Sequence, residues 1–270
     1  MTTILTENGS KFFSRFDQDS SLFPLDNRLL SKLCPQDVVV ISGSPGSGKT
    51  ELLYHWIAKC ILPASPCNGL DQRVILFDND LRFDLFRFVK ILERKLRYSQ
   101  ATSGISTNAS KNSLFIDERL KLLDIFNCSD FDEFVCSLRY LEVTRPKKYV
   151  LMVDGITSFY WSTKMRNPFG SSMTQDCVSV MTALLRNVSR SCGMPVLLTR
   201  RKLDSSSGNG RTKLPVAWRN LVTKQLQLVC NGITEKSTDV IVEDVASGVK
   251  FQCGITSSGW KINIPNAANS

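Results

Sequence analysis

Imidazole is almost missing from this chain: among its 270 residues there is one histidine, His55. The nine cysteines, at positions 34, 60, 67, 128, 136, 177, 192, 230 and 253, form no C-x-x-C pair. Together these shortages argue against a zinc centre and for reduced thiols. No run approaches the roughly 18 to 20 apolar residues of a membrane span, and the N-terminus lacks a basic-then-apolar signal pattern. A soluble, unsecreted protein with no membrane partner is expected. Acidic residues are also in deficit, with 25 Asp and Glu against 34 Lys and Arg, a formal charge of +9 that suits a polyanionic partner. With 42% hydrophobic residues the chain can bury one good core, so a single α/β domain with appendages is expected rather than two full domains.

What is present is sharper. Gly43-Ser44-Pro45-Gly46-Ser47-Gly48-Lys49-Thr50 fits G-x-x-x-x-G-K-[ST] at every fixed position. Asp37 to Ser42 ahead of it reads as a buried parallel strand. Lys49 to Leu62 behind it carries helical spacing through Leu52, Leu53, Trp56, Ile57 and Cys60. A phosphate-binding loop needs that context. Its glycines let backbone N–H groups face a nucleotide's phosphates, Lys49 reaches the β- and γ-oxygens, and Thr50 offers its hydroxyl to Mg²⁺. His55 lies on the helix, away from the phosphate end.

Along the chain, residues 1 to 36 read as a polar leader with an aromatic cluster at Phe12, Phe13 and Phe16, and residues 37 to 270 as the core. Buried strands are expected at Arg73 to Asp78, Leu120 to Phe126, Tyr149 to Asp154 and Pro195 to Thr199. Helices are expected at Leu81 to Tyr98, Phe131 to Leu141 and 174–192, with a polar linker from Ala101 to Ser113 and a Ser/Gly loop from Ser205 to Lys213. Strands alternating with helices predict a mainly parallel sheet. After the loop from Ser205 to Lys213 the period changes. Gln225 to Cys230, Thr238 to Val245, Val249 to Thr256 and Trp260 to Ile264 are short runs punctuated by Asn231-Gly232, Ser247-Gly248 and Ser258-Gly259, which read as antiparallel hairpins added at one edge.

Ligands of such sheets gather at the carboxyl ends of the strands, and three carboxylates fall there. Asp154 ends the apolar run Tyr149 to Val153 in the form of a Walker B strand and is placed to hold Mg²⁺ opposite Thr50. Asp78 and Asp80 end the neighbouring strand. Asp80 suits either orienting the water that attacks a γ-phosphate or capping a helix that starts at Leu81.

The phosphate loop with Glu51 behind it, Phe77-Asp78-Asn79-Asp80, the stretch Asp154 to Trp161 and the late segment Ala217 to Leu228 together resemble the RecA-type recombinase core of eukaryotic DNA-repair paralogs. The resemblance covers roughly residues 37 to 264, strongly in the first half and loosely at the end. It implies a RecA-like P-loop ATPase core without the small helical N-terminal domain of most relatives. It further implies a nuclear, ATP- and Mg²⁺-binding subunit of a hetero-oligomeric paralog complex, one that assists recombinase loading on single-stranded or branched DNA during homologous-recombination repair of double-strand breaks. The leader's Phe12, Phe13 and Phe16 sit where relatives dock on a neighbouring subunit; packing on the chain's own sheet is the alternative.

Two departures matter. The resembled family has a catalytic glutamate where this chain has Asp80, which is one methylene shorter, enough to move an attacking water by about 1 Å. It has Thr-Asn-Gln where this chain reads Thr199-Arg200-Arg201, and a guanidinium cannot replace a glutamine's acceptor. ATP binding is therefore expected ahead of turnover, with at most a weak DNA-dependent ATPase activity. A true DNA-stimulated ATPase or strand-exchange enzyme, and a small-molecule P-loop kinase, are the alternatives. Arg200, Arg201 and Lys202, the following loop with Arg211 and Lys213, and the segment after Asp154 with Lys164 and Arg166 match the family's two DNA-facing loops. Arg87, Lys90, Arg94 and Arg97 share one quadrant of their helix and read as a solvated face.

Overall fold

The computed structural model describes residues 25–26, 28–30, 33–103, 109–146, 148–159, 171–201, 216–235 and 237–262. Its strands are β1 (Val38–Gly43), β2 (Arg73–Asp78), β3 (Leu123–Phe126), β4 (Tyr149–Asp154), β5 (Val196–Arg201), β6 (Lys224–Ile233), β7 (Ser237–Asp244), β8 (Lys250–Thr256) and β9 (Gly259–Ile262). Its helices are α1 (Lys49–Ile61), α2 (Leu85–Ser103), α3 (Ala109–Leu120), α4 (Phe131–Thr144), α5 (Ser171–Cys192) and α6 (Val216–Leu221). One nine-stranded sheet runs in the order β3-β2-β4-β5-β1-β6-β7-β8-β9. From β3 to β6 neighbours pair in parallel, and from β6 to β9 antiparallel. Among the described residues, no helix is long and apolar enough to cross a membrane.

The inner strands read as unbroken apolar runs because both faces are covered, yet their side chains still alternate. Val39 and Ile41, Val74 and Leu76, and Val150 and Met152 join the layer under α1, α2 and α3. Val38 and Val40, Ile75 and Phe77, and Leu151 and Val153 join the layer under α4, α5 and α6. Leu25, Leu29, Leu30 and Leu33, from the end of the expected leader, are buried in the first layer. Phe12, Phe13 and Phe16 lie outside the described residues.

Three expectations need correcting. The run from Gln225 belongs to β6, which pairs in parallel with β1 before β7 folds back on it, so the antiparallel extension begins one strand later. The stretch from Ala101 to Ser113 is not a plain linker. α2 runs on to Ser103 and α3 starts at Ala109, and the side-chain amides of Gln100 and Asn112 exchange hydrogen bonds of 2.8 and 3.2 Å that tie these helices together. Finally, α2 starts at Leu85 and not Leu81. Leu81 has φ 52°, a left-handed conformation that ends any helix, and it is Asp84 whose carboxylate caps α2 by accepting from the Arg87 amide at 3.0 Å.

His55 sits on α1 against this core, with Lys95 Nζ 3.5 Å from its Nδ1 and Asp26 Oδ2 3.9 Å from its Nε2. Burial, then the charges of Lys95 and Lys59, push its pKa down to about 3. Asp26 is too far away to form a hydrogen bond that would reverse this. Below about pH 6.5 the unfolded chain takes up a proton that native His55 refuses until about pH 3. The stability from a neutral His55 is thus complete above pH 6.5 and drains away as the pH falls. Urea unfolding between pH 6.5 and 4.5 should therefore show a shallower loss of stability in His55→Gln than in the parent, by up to about 1.4 kcal/mol per pH unit. Identical slopes would mean that His55 is protonated in the native state.

Candidate functional site

The loop Ser44–Gly48 leaves the end of β1 and turns directly into α1. Gly46 and Gly48 have φ of 76° and 89°, a region open to glycine at little cost. Gly48 is also crowded: a Cβ there would lie 2.4 Å from Ile255 Cδ1 and 3.1 Å from the Trp260 ring, so β8 and β9 form a wall against the loop. No side chain caps the start of α1, which leaves its first amides and the positive end of its dipole to an anion. Lys49 folds back over the loop, its ammonium donating to the Gly43 carbonyl at 3.1 Å, the Ser44 carbonyl at 2.7 Å and Ser47 Oγ at 3.3 Å. Burial lowers its pKa, Asp154 and then Asp80 oppose that shift, and Arg82 and Arg201 add to it.

At the carboxyl edge of the sheet, Asp154 is buried between two hydroxyls. Thr50 Oγ1 donates to its Oδ2 at 2.7 Å and Thr199 Oγ1 to its Oδ1 at 2.5 Å, while the Gly155 amide donates to Thr199 Oγ1 at 2.8 Å. Burial raises the Asp154 pKa, and these two hydroxyl bonds pull against it. Asp78 lies in register beside Asp154 but faces a different duty: it accepts from the amides of Arg82 at 3.0 Å and Phe83 at 2.8 Å, fixing the turn between β2 and α2. Tyr54 braces that turn from α1, donating to the Arg82 carbonyl at 3.3 Å and accepting from the Asp84 amide at 2.7 Å. The tip of the turn presents Asp80, which is exposed and accepts from Ser158 Oγ. Gly155 makes this approach possible, because at φ 84° its missing Cβ would lie 2.8 Å from Asp80 Cγ. Asp80 therefore caps no helix and stands at the carboxyl edge of the sheet, bonded to Ser158.

Arg87 corrects the reading of α2 as uniformly solvated. Its Nε and Nη2 grip both oxygens of Glu51 on α1 at 3.1 and 3.2 Å, while Nη2 and Nη1 donate to the Thr256 and Ser257 carbonyls at 2.9 and 2.7 Å. One guanidinium thus ties α1, α2 and the β8–β9 turn together just behind the loop.

Of the residues singled out in the sequence, the octapeptide Gly43–Thr50, Asp80 and Asp154 converge on this edge. Arg200 and Arg201 are at the end of β5, opposite Ser42 and Gly43, with Arg200 half-buried and Arg201 exposed. Lys164, Arg166, Lys202, Arg211 and Lys213 lie outside the described residues. Sequence reasoning passed over Thr199, Tyr54 and Ser158 as site groups. A threonine ending an apolar strand was a weak signal for the first; for the other two, partners 30 and 78 positions away gave none.

A mainly parallel sheet with a glycine loop and a strand-end aspartate at its carboxyl edge, extended by antiparallel strands, is a RecA-like core. A crystal structure of the RadB recombinase has this fold, with a TM-score of 0.61 over 87% of this chain and 94% of that one at 20% identity. In sequence, the chain is 29% identical over 224 residues to the DNA repair protein XRCC2 of Mus musculus, covering 77% of this chain and 74% of that protein. It is 26% identical over 188 residues to an Arabidopsis thaliana DNA repair protein XRCC2 homolog, covering 59% and 50%. No family model matches. The fold is thus RecA-like, and in sequence the chain is similar to the XRCC2 DNA repair proteins.

The Arg87 clamp should show in stability. Arg87→Ala leaves Glu51 half-buried and strips two carbonyls, and is expected to cost roughly 2 kcal/mol in urea unfolding. Arg94→Ala, on the exposed side of the same helix, should stay within about 0.5 kcal/mol. Equal costs would show that the clamp contributes no more than a surface charge.

Proposed function

We propose that this chain is an ATP-binding subunit of a recombinase-paralog complex that works in homologous-recombination repair in the nucleus. The observation that carries the reading is the meeting of Lys49, Thr50 and Asp154 at one sheet edge, reached from segments 104 residues apart. The Lys49 ammonium rests on two backbone carbonyls and a hydroxyl, neutral acceptors that phosphate oxygens can replace with stronger, charge-assisted bonds. The donor set also fits the metal. Thr50 and Asp154 present oxygens 2.7 Å apart, of the hard type that Mg²⁺ selects, and would hold the ion. Bound there, Mg²⁺ supplies neutralisation of phosphate charge. Gly48 keeps the loop open at the Ile255 and Trp260 wall, Thr199 holds Asp154 in place, and Arg201 adds positive charge beside Gly43.

The similarity to DNA repair proteins supports a role in repair; that the chain works alongside other paralogs and on single-stranded or branched DNA is part of the proposal. Arg200 and Arg201, together with Lys164, Arg166, Lys202, Arg211 and Lys213, are the proposed DNA contacts. The RecA-like fold and the similarity to DNA repair proteins favour this reading over the small-molecule kinase alternative.

Lys49→Ala should lose ATP binding by at least tenfold in titration calorimetry with Mg²⁺, since a charge-assisted bond is worth about 1.5 to 3 kcal/mol. Unchanged affinity would overturn the nucleotide reading.

A second reading, weak DNA-stimulated ATP hydrolysis, draws on one observation: Asp80 stands at the tip of the β2–α2 turn on the carboxyl edge, bonded to Ser158, instead of capping α2. Asp80→Glu restores the missing methylene. It should raise phosphate release in the presence of single-stranded DNA and a partner subunit, with the KM for ATP unchanged. No gain would place the limit at Arg201.

A further inference from the structure

Large aromatic side chains seldom stand free on a helix, yet α2 carries two. Phe86 is 82% exposed and Tyr98 78% exposed. Between them Lys90, Arg94 and Arg97 are exposed as well. At 100° per residue these five side chains fall within about 120° of arc, and from Phe86 to Tyr98 the row runs about 18 Å along the helix. Opposite them Phe88, Leu92, Leu96 and Ser99 are buried, so the row cannot turn inward. The helix is pinned in that rotation by its packing and by the Arg87 clamp.

The charges on this row are poorly answered. Arg97 pairs with Glu93 at 3.2 Å, an exposed i,i+4 contact that neutralises little. Among the described residues, Lys90 and Arg94 have no ion-pair partner. Three cations spaced one turn apart, with an aromatic ring at each end, match the chemistry of single-stranded nucleic acid: cations follow the phosphates and rings stack on unpaired bases. A duplex keeps its bases stacked inside and would leave Phe86 and Tyr98 without a partner. A protein partner would ask for a contiguous apolar centre, whereas here the middle of the row is cationic.

We propose that the exposed face of α2, from Phe86 to Tyr98 through Lys90, Arg94 and Arg97, binds single-stranded nucleic acid. This surface is separate from the strand-end cations of the proposed function and does not need nucleotide.

The test uses full-length protein and a fluorescein-labelled oligothymidylate, with anisotropy followed over a salt series. The triple variant K90A/R94A/R97A should flatten the dependence of log affinity on log salt by about 2, near 0.7 for each phosphate that is no longer neutralised. F86A and Y98A should each weaken binding roughly fivefold or more while leaving that slope unchanged. All five positions are exposed, so urea unfolding midpoints should match the parent and exclude misfolding. R200A/R201A should leave these effects intact, which separates failure of this surface from failure of the strand-end cations. Three results would overturn the proposal: a parent that does not bind, a triple variant that keeps its slope, or aromatic variants that bind like the parent. The last would leave a face that attracts polyanions by charge alone, or one kept for a protein partner.

Discussion

A carboxylate taken out of water must be answered by donors, and the way Asp154 is answered organises the rest of this edge. Thr50 belongs to α1, Thr199 to β5, and Asp154 to β4, so two hydroxyl bonds join the start of a helix to the ends of two strands. The second hydroxyl is itself held by the Gly155 amide, which fixes the backbone as it leaves β4. Moving either threonine would strip the buried carboxylate of one of its two hydroxyl bonds. Their mutual position is therefore specified more tightly than apolar packing alone would require.

The neighbouring carboxylates differ because their partners differ. Asp78 is spent on two backbone amides, which makes it a structural element of the turn and leaves it little capacity for chemistry. Asp80 is exposed and, among the described residues, bonded to one side chain, Ser158, itself shared with the Gly155 carbonyl. A carboxylate held by one hydroxyl can exchange it for water or another donor at small cost, whereas one closing two backbone bonds cannot. Division of labour between residues two apart follows from geometry and not from side-chain type.

Much of the fold was legible in the sequence, and the reason is burial. β2 and β4 match the expected Arg73 to Asp78 and Tyr149 to Asp154 residue for residue, because a strand covered on both faces must be apolar throughout and a polar residue ends it sharply. The octapeptide was equally plain, since its spacing is imposed by the turn it makes. What failed depended on partners distant in sequence. Leu81 fits a helical pattern, but Asp78 captures the amides that a helix would need. β6 carries the alternation of a hairpin strand, yet its first neighbour is β1, more than 180 residues earlier, and periodicity does not encode direction.

The same limit applies to charge. A helical wheel put Arg87 with Lys90, Arg94 and Arg97 in one group, because four cations on one quadrant look alike in projection. Only Arg87 lies near enough to the start of α2 to reach Glu51 and the β8–β9 turn, and it leaves the solvated set to bind carbonyls. Lys49 is withdrawn in the same manner by the carbonyls of its own loop. A net charge of +9 therefore overstates what the surface can offer a polyanion, and the sum says nothing about where the remainder lies. The effective cations are those the fold leaves unspent, and among the described residues they include Lys90 and Arg94 on the outer row of α2 and Arg201 at the end of β5.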